Sequence, residues 1–362
     1  MLKSLKMTGF RAFESYALDS LSLVNLVVGK NNSGKTSVLE AVDLLVSGGN
    51  PAAISESAHR REEVRPVESR PGFRRLPSMT HLFHGHACEP GARFDLRGSR
   101  SNGRVTVEIR SLDDFENEVL SRMLDGFDDR LPPEASPAMA LAITVNVRKK
   151  PEFIFPVTED GLLLQDVRRL WTRRRSARFL SPSTTEPPFL SQAWNTLVTD
   201  GREQEVVDDM KLLMPDIESI HYLPGGRVPR GGGFVVGLRP GGSRYPLGTF
   251  GDGMRRLLQL RLALVNNADS CVLVDEIVTG LHWTVMAGMW RLMVEVARKS
   301  HLQLFATTHS HDCILGLASM IKSYPDLAAE VSIQKIDTSL PQAVSVQGMD
   351  IPAALESGID FR

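Results

Sequence analysis

The sequence predicts an α/β fold with a mixed central sheet, and three observations lead there. "LVNLVVG" running into "KNNSGKTSVLEAVDLLV" reads as an apolar strand, a glycine loop and an amphipathic helix, with Val38, Leu39, Val42, Leu45 and Val46 at helical spacing. "CVLV" (271–274) and "LQLFA" (302–306) are short apolar runs of the kind that parallel sheets bury on both faces. "RVTVEIRSL" (104–112) and "LAITVNVRK" (141–149) alternate apolar and polar residues, as half-buried strands do.

Composition sets the frame. The chain has 362 residues, enough for one large domain or two, and is 42% hydrophobic and 23% charged. A net charge of -1 gives no global field that would draw in nucleic acid or an anionic membrane. The three cysteines, Cys88, Cys271 and Cys313, are odd in number and far apart. They suggest no disulfide framework and fit a reducing cytoplasm. The N-terminus lacks the apolar core of a signal peptide. No apolar run approaches the roughly 20 residues of a membrane helix.

"GKNNSGKT" (Gly29 to Thr36) fits the phosphate-loop pattern G-x-x-x-x-G-K-[ST], in the strand-loop-helix frame that the pattern needs. Glycines at 29 and 34 permit the backbone angles that bring amides close to phosphate oxygens. The helix start adds aligned N–H groups and partial positive charge. Lys35 is placed to reach β- and γ-phosphates and Thr36 to ligate Mg²⁺.

Hydrolysis needs a metal-holding carboxylate and a group to activate water. "CVLVDE" provides both at the end of a buried strand: Asp275 to hold Mg²⁺ through water, Glu276 to orient and deprotonate the attacking water. His309 follows the next apolar strand, where an imidazole can contact a γ-phosphate. "GTFGDGMRRLLQLRLALV" (248–265) is a second glycine-opened helix start, with Arg255 and Arg256 adding charge. In a lone subunit this second anion site has no task. In a head-to-tail dimer it completes the other subunit's site.

The order of these elements resembles the ABC-type ATPases of the SMC, RecF and OLD (overcoming lysogenization defect) group. "GFRAF" with "VVGKNNSGKTSVLEAV" is similar to that group's opening strand and Walker A. "FGDGMRRLLQL" sits at the place of its signature, "VLVDEIVTGLHW" resembles Walker B and the D-loop, and "FATTHSHDCI" resembles the H-loop. The resemblance covers roughly residues 1–50 and 220–320. It implies an ATPase head with a mixed central sheet, an antiparallel N-terminal lobe and an inserted helical and stranded region. It implies ATP contacts at Asn31, Asn32, Ser33, Gly34, Lys35, Thr36 and Ser37, magnesium at Thr36 and Asp275, a catalytic base at Glu276 and a γ-phosphate switch at His309. Gly251, Asp252 and Gly253 act in trans on a partner's ATP. The chain departs from the group at Gly251, where the signature serine is missing, and at Trp283, where a proline is common. No glutamine in residues 47–110 can serve as a Q-loop.

The domain expectation is an N-terminal part of the head at 1–110, an insertion at 111–215 and a C-terminal part at 216–362. Prolines throughout the insertion exclude a coiled-coil arm. Residues 51–78, rich in Arg, Glu and Pro, read as a mobile or partner-ordered segment. Only 53 residues follow His309, too few for a fused nuclease domain. Any effector is therefore expected as a separate chain, in bacterial anti-phage defence or DNA maintenance. "RRLWTRRRSAR" offers Arg168, Arg169, Arg173, Arg174, Arg175 and Arg178 to a nucleic-acid backbone, to an acidic partner or to solvent. His81, His84, His86 and Cys88 lie close together, but no second ligand pair accompanies them. They read as a strand-turn with polar histidines. Rival readings are a transport ATPase subunit and a scaffold that holds ATP without turnover.

Overall fold

The structure is a computed structural model that describes residues 1–66, 75–99, 103–124, 137–146, 153–158, 161–162, 177–182, 189–211, 214–223, 233–239, 242–265 and 271–361. Its centre is a six-stranded sheet in the order β11 (Arg178–Leu180), β15 (Cys271–Val274), β16 (Gln303–Thr307), β3 (Val24–Val28), β17 (Val331–Lys335) and β18 (Val344–Gln347). The first five strands are parallel and β18 runs antiparallel at one edge. Beside it lies a seven-stranded antiparallel sheet. Its strands are β1 (Leu5–Phe10), β2 (Phe13–Leu18), β6 (Arg93–Gly98), β7 (Arg104–Ser111), β8 (Met139–Val145), β9 (Phe153–Thr158) and β10 (Gly161–Leu162). Smaller sheets are formed by β4 (Val64–Pro66) with β5 (Arg75–Pro77), and by β12 (Ile217–Leu223), β13 (Gly233–Leu238) and β14 (Arg244–Pro246). The mixed central sheet and the antiparallel N-terminal lobe are those expected from the sequence. The antiparallel sheet draws strands from both sides of residue 110.

Side-chain alternation along the parallel strands splits the core in two. Phe305, Leu273, Cys271 and Val27 face the antiparallel sheet. Leu304, Ala306, Val272, Val274, Val24, Leu26 and Val28 face the opposite way. Onto that second face pack α4 (Phe189–Thr199), α5 (Glu203–Lys211), α6 (Asp252–Val265), α7 (Met286–Lys299), α8 (His311–Ser323) and α9 (Asp350–Glu356). Trp290 of α7 is fully buried there, and its indole N–H donates to the Cys313 carbonyl at 3.0 Å. Both faces of the central strands are covered, which is why they read as unbroken apolar runs.

Helix α1 (Lys35–Val46) lies between the two sheets, with Val38, Leu39, Val42 and Leu45 packed against Met7, Leu96, Val107 and Ile143. The helix is buried nearly all round, so its acidic residues are buried too. Glu40 is met by Arg11 Nε at 2.7 Å and Arg61 Nε at 2.7 Å. Among the described residues the one cation paired with Asp43 is Arg60, at 3.9 Å, and burial, helped by the nearby Glu56 and Glu40, pushes its carboxyl up to about 7. The remaining helices are α2 (Pro51–Arg60) and α3 (Asn117–Leu124).

The structure corrects the reading of residues 51–78 as mobile or partner-ordered over 51–66 and 75–78, while residues 67–74 lie outside the described residues. Asn50 caps α2 by accepting from the Ala52 N–H, Pro51 fits the first turn, and Ala53, Ile54, Ser57 and Ala58 are buried. The charged residues there are what α1 needs. Arg60 and Arg61 project back onto buried carboxylates, so composition alone misread a packed element.

Two consequences are measurable. Phe305 is 0% exposed between the sheets. Phe305→Ala is predicted to lower unfolding free energy by about 3–5 kcal/mol in denaturant titrations. Asp43 has a folded pKa raised above its ordinary 3.8, so the native state binds the proton more tightly than the unfolded chain. Stability is then greatest below pH 4 with respect to this group, and falls as pH rises through about 7. Asp43→Asn is predicted to remove that slope and to be more stable than wild type at pH 8. An unchanged pH–stability curve would refute it.

Candidate functional site

Three parallel strands, β3, β15 and β16, end side by side, and ligands bind at the C-terminal edge of such sheets. The loop after β3 wraps into α1. Gly29 has φ 145 and Gly34 has φ 94, and a Cβ on Gly34 would stand 2.5 Å from the Phe13 ring. Both glycines are therefore fixed by backbone conformation, and Gly34 also by packing against the antiparallel lobe. Asn32 is left-handed too, at φ 62. The Lys35 ammonium donates to the Gly29 carbonyl at 2.9 Å and the Lys30 carbonyl at 3.0 Å. Burial pushes its pKa down, against the pull of Glu276 and Asp275.

Asp275 follows β15. Its carboxylate accepts from the Thr36 hydroxyl at 3.1 and 3.2 Å and from the Thr307 hydroxyl at 2.6 Å. Thr307 Oγ1 in turn accepts the Glu276 N–H at 2.9 Å. Glu276 is held at φ 47, a left-handed value that a glutamate rarely adopts. His309 Nδ1, after β16, stands 2.9 Å from Glu276 Oε2. A carboxylate only accepts, so that nitrogen carries the proton.

These residues border a cavity of about 810 Å³. Asn31, Asn32, Gly34, Lys35, Thr36 and Ser37 line it together with Asp275 and Glu276. The volume lies in the range of small-molecule sites. Of the residues expected here, Ser33 and His309 are not in the lining. Ser33 Oγ is buried without a hydrogen-bond partner, and His309 reaches the site through Glu276. Gly251, Asp252 and Gly253 also lie outside the cavity. Gly251 and Asp252 are exposed, and a Cβ on Gly253 would meet the Gly280 carbonyl at 2.8 Å. The second helix start is thus braced on the segment after Glu276 and lies outside the cavity that Lys35 lines.

The donor set fits a nucleoside triphosphate with magnesium. The Thr36 hydroxyl and Asp275 carboxylate stand 3.1 Å apart, hard oxygens of the kind that would hold Mg²⁺, directly at Thr36 and through water at Asp275. The loop supplies amides and a cation for phosphate oxygens.

The structure adds residues that sequence reasoning missed. Arg256 does not enrich an outward anion site. It is 6% exposed and donates to the carbonyls of Asp275 at 3.2 Å, Glu276 at 3.4 Å and Ser181 at 3.4 Å. Burial pushes its pKa down, although Asp275 opposes this. Arg11 binds Glu40, Glu63 and Ser57, and Arg61 Nη2 donates to Ser37 Oγ at 3.2 Å. Arg11, Arg61 and Glu63 line the cavity with His81, His84 and His86. Only the position of Arg11, two residues before Phe13 in "GFRAF", signalled any of this. Among the described residues no cluster of three or more His, Cys, Asp or Glu side chains is arranged to hold a metal ion. No helix among them is long and apolar enough to cross a membrane. Arg168, Arg169, Arg173, Arg174 and Arg175 lie outside the described residues, and Arg178 begins β11.

Comparison with known proteins agrees with this geometry. Residues 24–314 match the family described as "AAA domain, putative AbiEii toxin, Type IV TA system". An "ATP/GTP phosphatase" of Helicobacter pylori is 19% identical over 348 residues, covering 89% of each chain. The solved SMC head bound to the C-terminal winged-helix domain of ScpA covers 96% of this chain and 97% of its own. It superposes with a TM-score of 0.51 at 12% identity, a likeness of fold. The matched span runs from β3 into α8 and takes in the whole cavity edge formed by Lys35, Asp275 and Glu276. The chain belongs to this AAA-domain family, and it is an ATPase built on the SMC-head type of α/β fold.

Proposed function

We propose that the chain binds Mg²⁺-ATP at the cavity beside Lys35 and hydrolyses it slowly at composite sites shared by two copies. The observation that carries this reading is the convergence of Lys35, Thr36, Asp275 and Glu276 on one cavity, with His309 bonded to Glu276. Thr36 and Asp275 would hold the ion, which supplies charge neutralisation at the β- and γ-phosphate oxygens when bound. The amides from Asn31 to Ser37 and the Lys35 ammonium orient the phosphates. Glu276 Oε accepts the proton of the attacking water, and His309 holds that carboxylate from the far side. Thr307 fixes the Asp275 carboxylate and the Glu276 N–H together, so base and metal ligand keep a set separation.

Gly251, Asp252 and Gly253 are proposed to complete the site of a second copy. The exposure of Gly251 and Asp252, outside this chain's own cavity, supports that role. Nucleotide then closes the pair and hydrolysis releases it, an equilibrium biased by the γ-phosphate. Residues 1–110 and 216–362 would form the head, with 111–215 as the insertion that senses the trigger. A separately encoded effector is proposed as the partner, in anti-phage defence or DNA maintenance in the cytoplasm. The solved SMC head, itself bound to a protein domain, supports a protein partner. Nucleic acid remains a partner to test through Arg168, Arg169, Arg173, Arg174, Arg175 and Arg178. A second reading, a scaffold that holds ATP with little turnover, is favoured by one residue, Gly251 in the place of a signature serine.

Steady-state hydrolysis, with association followed by light scattering, separates the two. Glu276→Gln is predicted to slow turnover by roughly 100-fold or more and to accumulate as a nucleotide-bound dimer. Lys35→Ala is predicted to lose nucleotide binding. Equal low rates for wild type and Glu276→Gln would establish the scaffold instead.

A further inference from the structure

The lining of the cavity includes three histidines, His81, His84 and His86, that the proposed reaction does not use. The segment that carries them is firmly built. Leu82 and Phe83 are buried, and Phe83 packs on Phe94. The Arg11 N–H donates to the Leu82 carbonyl at 2.9 Å, and Arg11 Nη1 donates to the His81 carbonyl at 3.4 Å. The His86 N–H donates to the Phe83 carbonyl at 3.1 Å. Gly85 and His86 are both left-handed, at φ 79 and φ 60. Strain at a non-glycine residue beside a cavity points to a functional cause. Its effect here is to turn the His86 ring onto His81.

His81 Nδ1 and His86 Nδ1 stand 3.2 Å apart, while the ring centroids are 5.1 Å apart with the planes at 73°. Each Nδ1 therefore lies on the side of its ring that faces the other. A neutral imidazole carries one proton, on either nitrogen. With both protons on Nε2, two lone pairs face one gap. Zinc bonds nitrogen at about 2.0–2.1 Å, so two nitrogens on a tetrahedral ion lie about 3.3–3.4 Å apart. The observed spacing is already close to that bite. A single N–H···N bond between two exposed rings offsets little of the cost of a left-handed backbone. The neighbouring cation, Arg11, is paired with Glu40 and Glu63. His84 is not a third ligand, since its Nδ1 is tied to the Arg11 carbonyl at 3.0 Å and no three such side chains converge among the described residues. Imidazole nitrogen suits Zn²⁺, Ni²⁺ and Cu²⁺, whereas Mg²⁺ takes oxygen.

We infer that His81 and His86 chelate a divalent transition-metal ion of the Zn²⁺ class through their Nδ1 atoms, with water in the remaining positions. Two protein ligands make an exchangeable site, unlike a closed structural one. The ion adds positive charge to the cavity that Lys35 lines, apart from the Thr36 and Asp275 oxygens that fit Mg²⁺. The inference does not depend on nucleotide binding, and its test uses none. The test is calorimetric titration of the full, untagged chain with Zn²⁺ in excess Mg²⁺, which occupies oxygen sites. Wild type is expected to bind one Zn²⁺ per chain. His81→Ala and His86→Asn are each expected to weaken that binding at least tenfold, the lower end of what losing even an outer-shell partner costs. Asparagine tolerates the left-handed backbone at 86. Cys88→Ser is expected to bind as wild type does. In chelator all four proteins should unfold at one midpoint, and Zn²⁺ should raise it only for wild type and Cys88→Ser. The two histidine variants are independent, so one that fails to fold leaves the other as the test. No Zn²⁺ binding by wild type, displacement of Zn²⁺ by Mg²⁺, binding unchanged in a folded histidine variant, or binding lost in Cys88→Ser would overturn the inference.

Discussion

Asp275 accepts hydrogen bonds from two hydroxyls that reach it from different parts of the chain, Thr36 at the start of α1 and Thr307 at the end of β16. That carboxylate stands at the junction of three parallel strands. A short side chain can receive both hydroxyls only if β3, β15 and β16 end level with one another and α1 leaves the sheet at one angle. The register of the central sheet meets this condition, pairing Val274 with Ala306 and Thr307 with Val27. Burial of the strands on both faces holds that register, because a slip of one residue would exchange the two cores. Site geometry and core packing are thus one constraint expressed twice.

The second support is electrostatic. Helix α1 is nearly enclosed, yet it carries Glu40 and Asp43. Arg11 and Arg61 converge on Glu40, and both guanidinium groups also border the cavity. A buried ion pair is rarely a large net source of stability, since desolvation offsets its attraction. Its contribution here is positional. It ties the antiparallel lobe, α2 and the phosphate loop together, so that a displacement of one is felt by the others. Arg256 does the same for the opposite side, bridging α6 to the carbonyls of Asp275 and Glu276 from a buried position. The exposed helix start at Gly251 and Asp252 is therefore in mechanical contact with the acidic pair.

Strained backbone gathers at the same place. Arg11, Asn32, Glu276 and His86 all have positive φ and all line the cavity. Each such residue costs of order 1–3 kcal/mol unless its surroundings impose it. Four of them around one cavity argue that the wall is shaped for a ligand at some expense of stability.

Much of this was legible in the sequence. Short apolar runs marked the parallel strands because both of their faces are buried. Gly29, Gly34, Lys35 and Thr36 announced a phosphate loop because few other arrangements require those residues at that spacing. The order of motifs then indicated where Asp275, Glu276 and His309 would stand. What the sequence could not supply was any contact between segments with no spacing rule to join them. Arg61 looked like part of a charged, proline-rich stretch, and only the fold turned it onto Glu40 and Ser37. Arg256 looked like charge added to the second helix start until the fold buried it against the carbonyls of Asp275 and Glu276. His81, His84 and His86 lacked the spacing of a metal site and read as a polar turn. Their place beside the phosphate loop arises because residues 80–86 pack against Phe10 and Arg11, some seventy positions earlier. Local pattern determined which elements form and which residues bear chemistry. Tertiary packing alone decided which distant charges and rings share one cavity, because burial and hydrogen-bond satisfaction act on distances in space and carry no periodic mark along the chain.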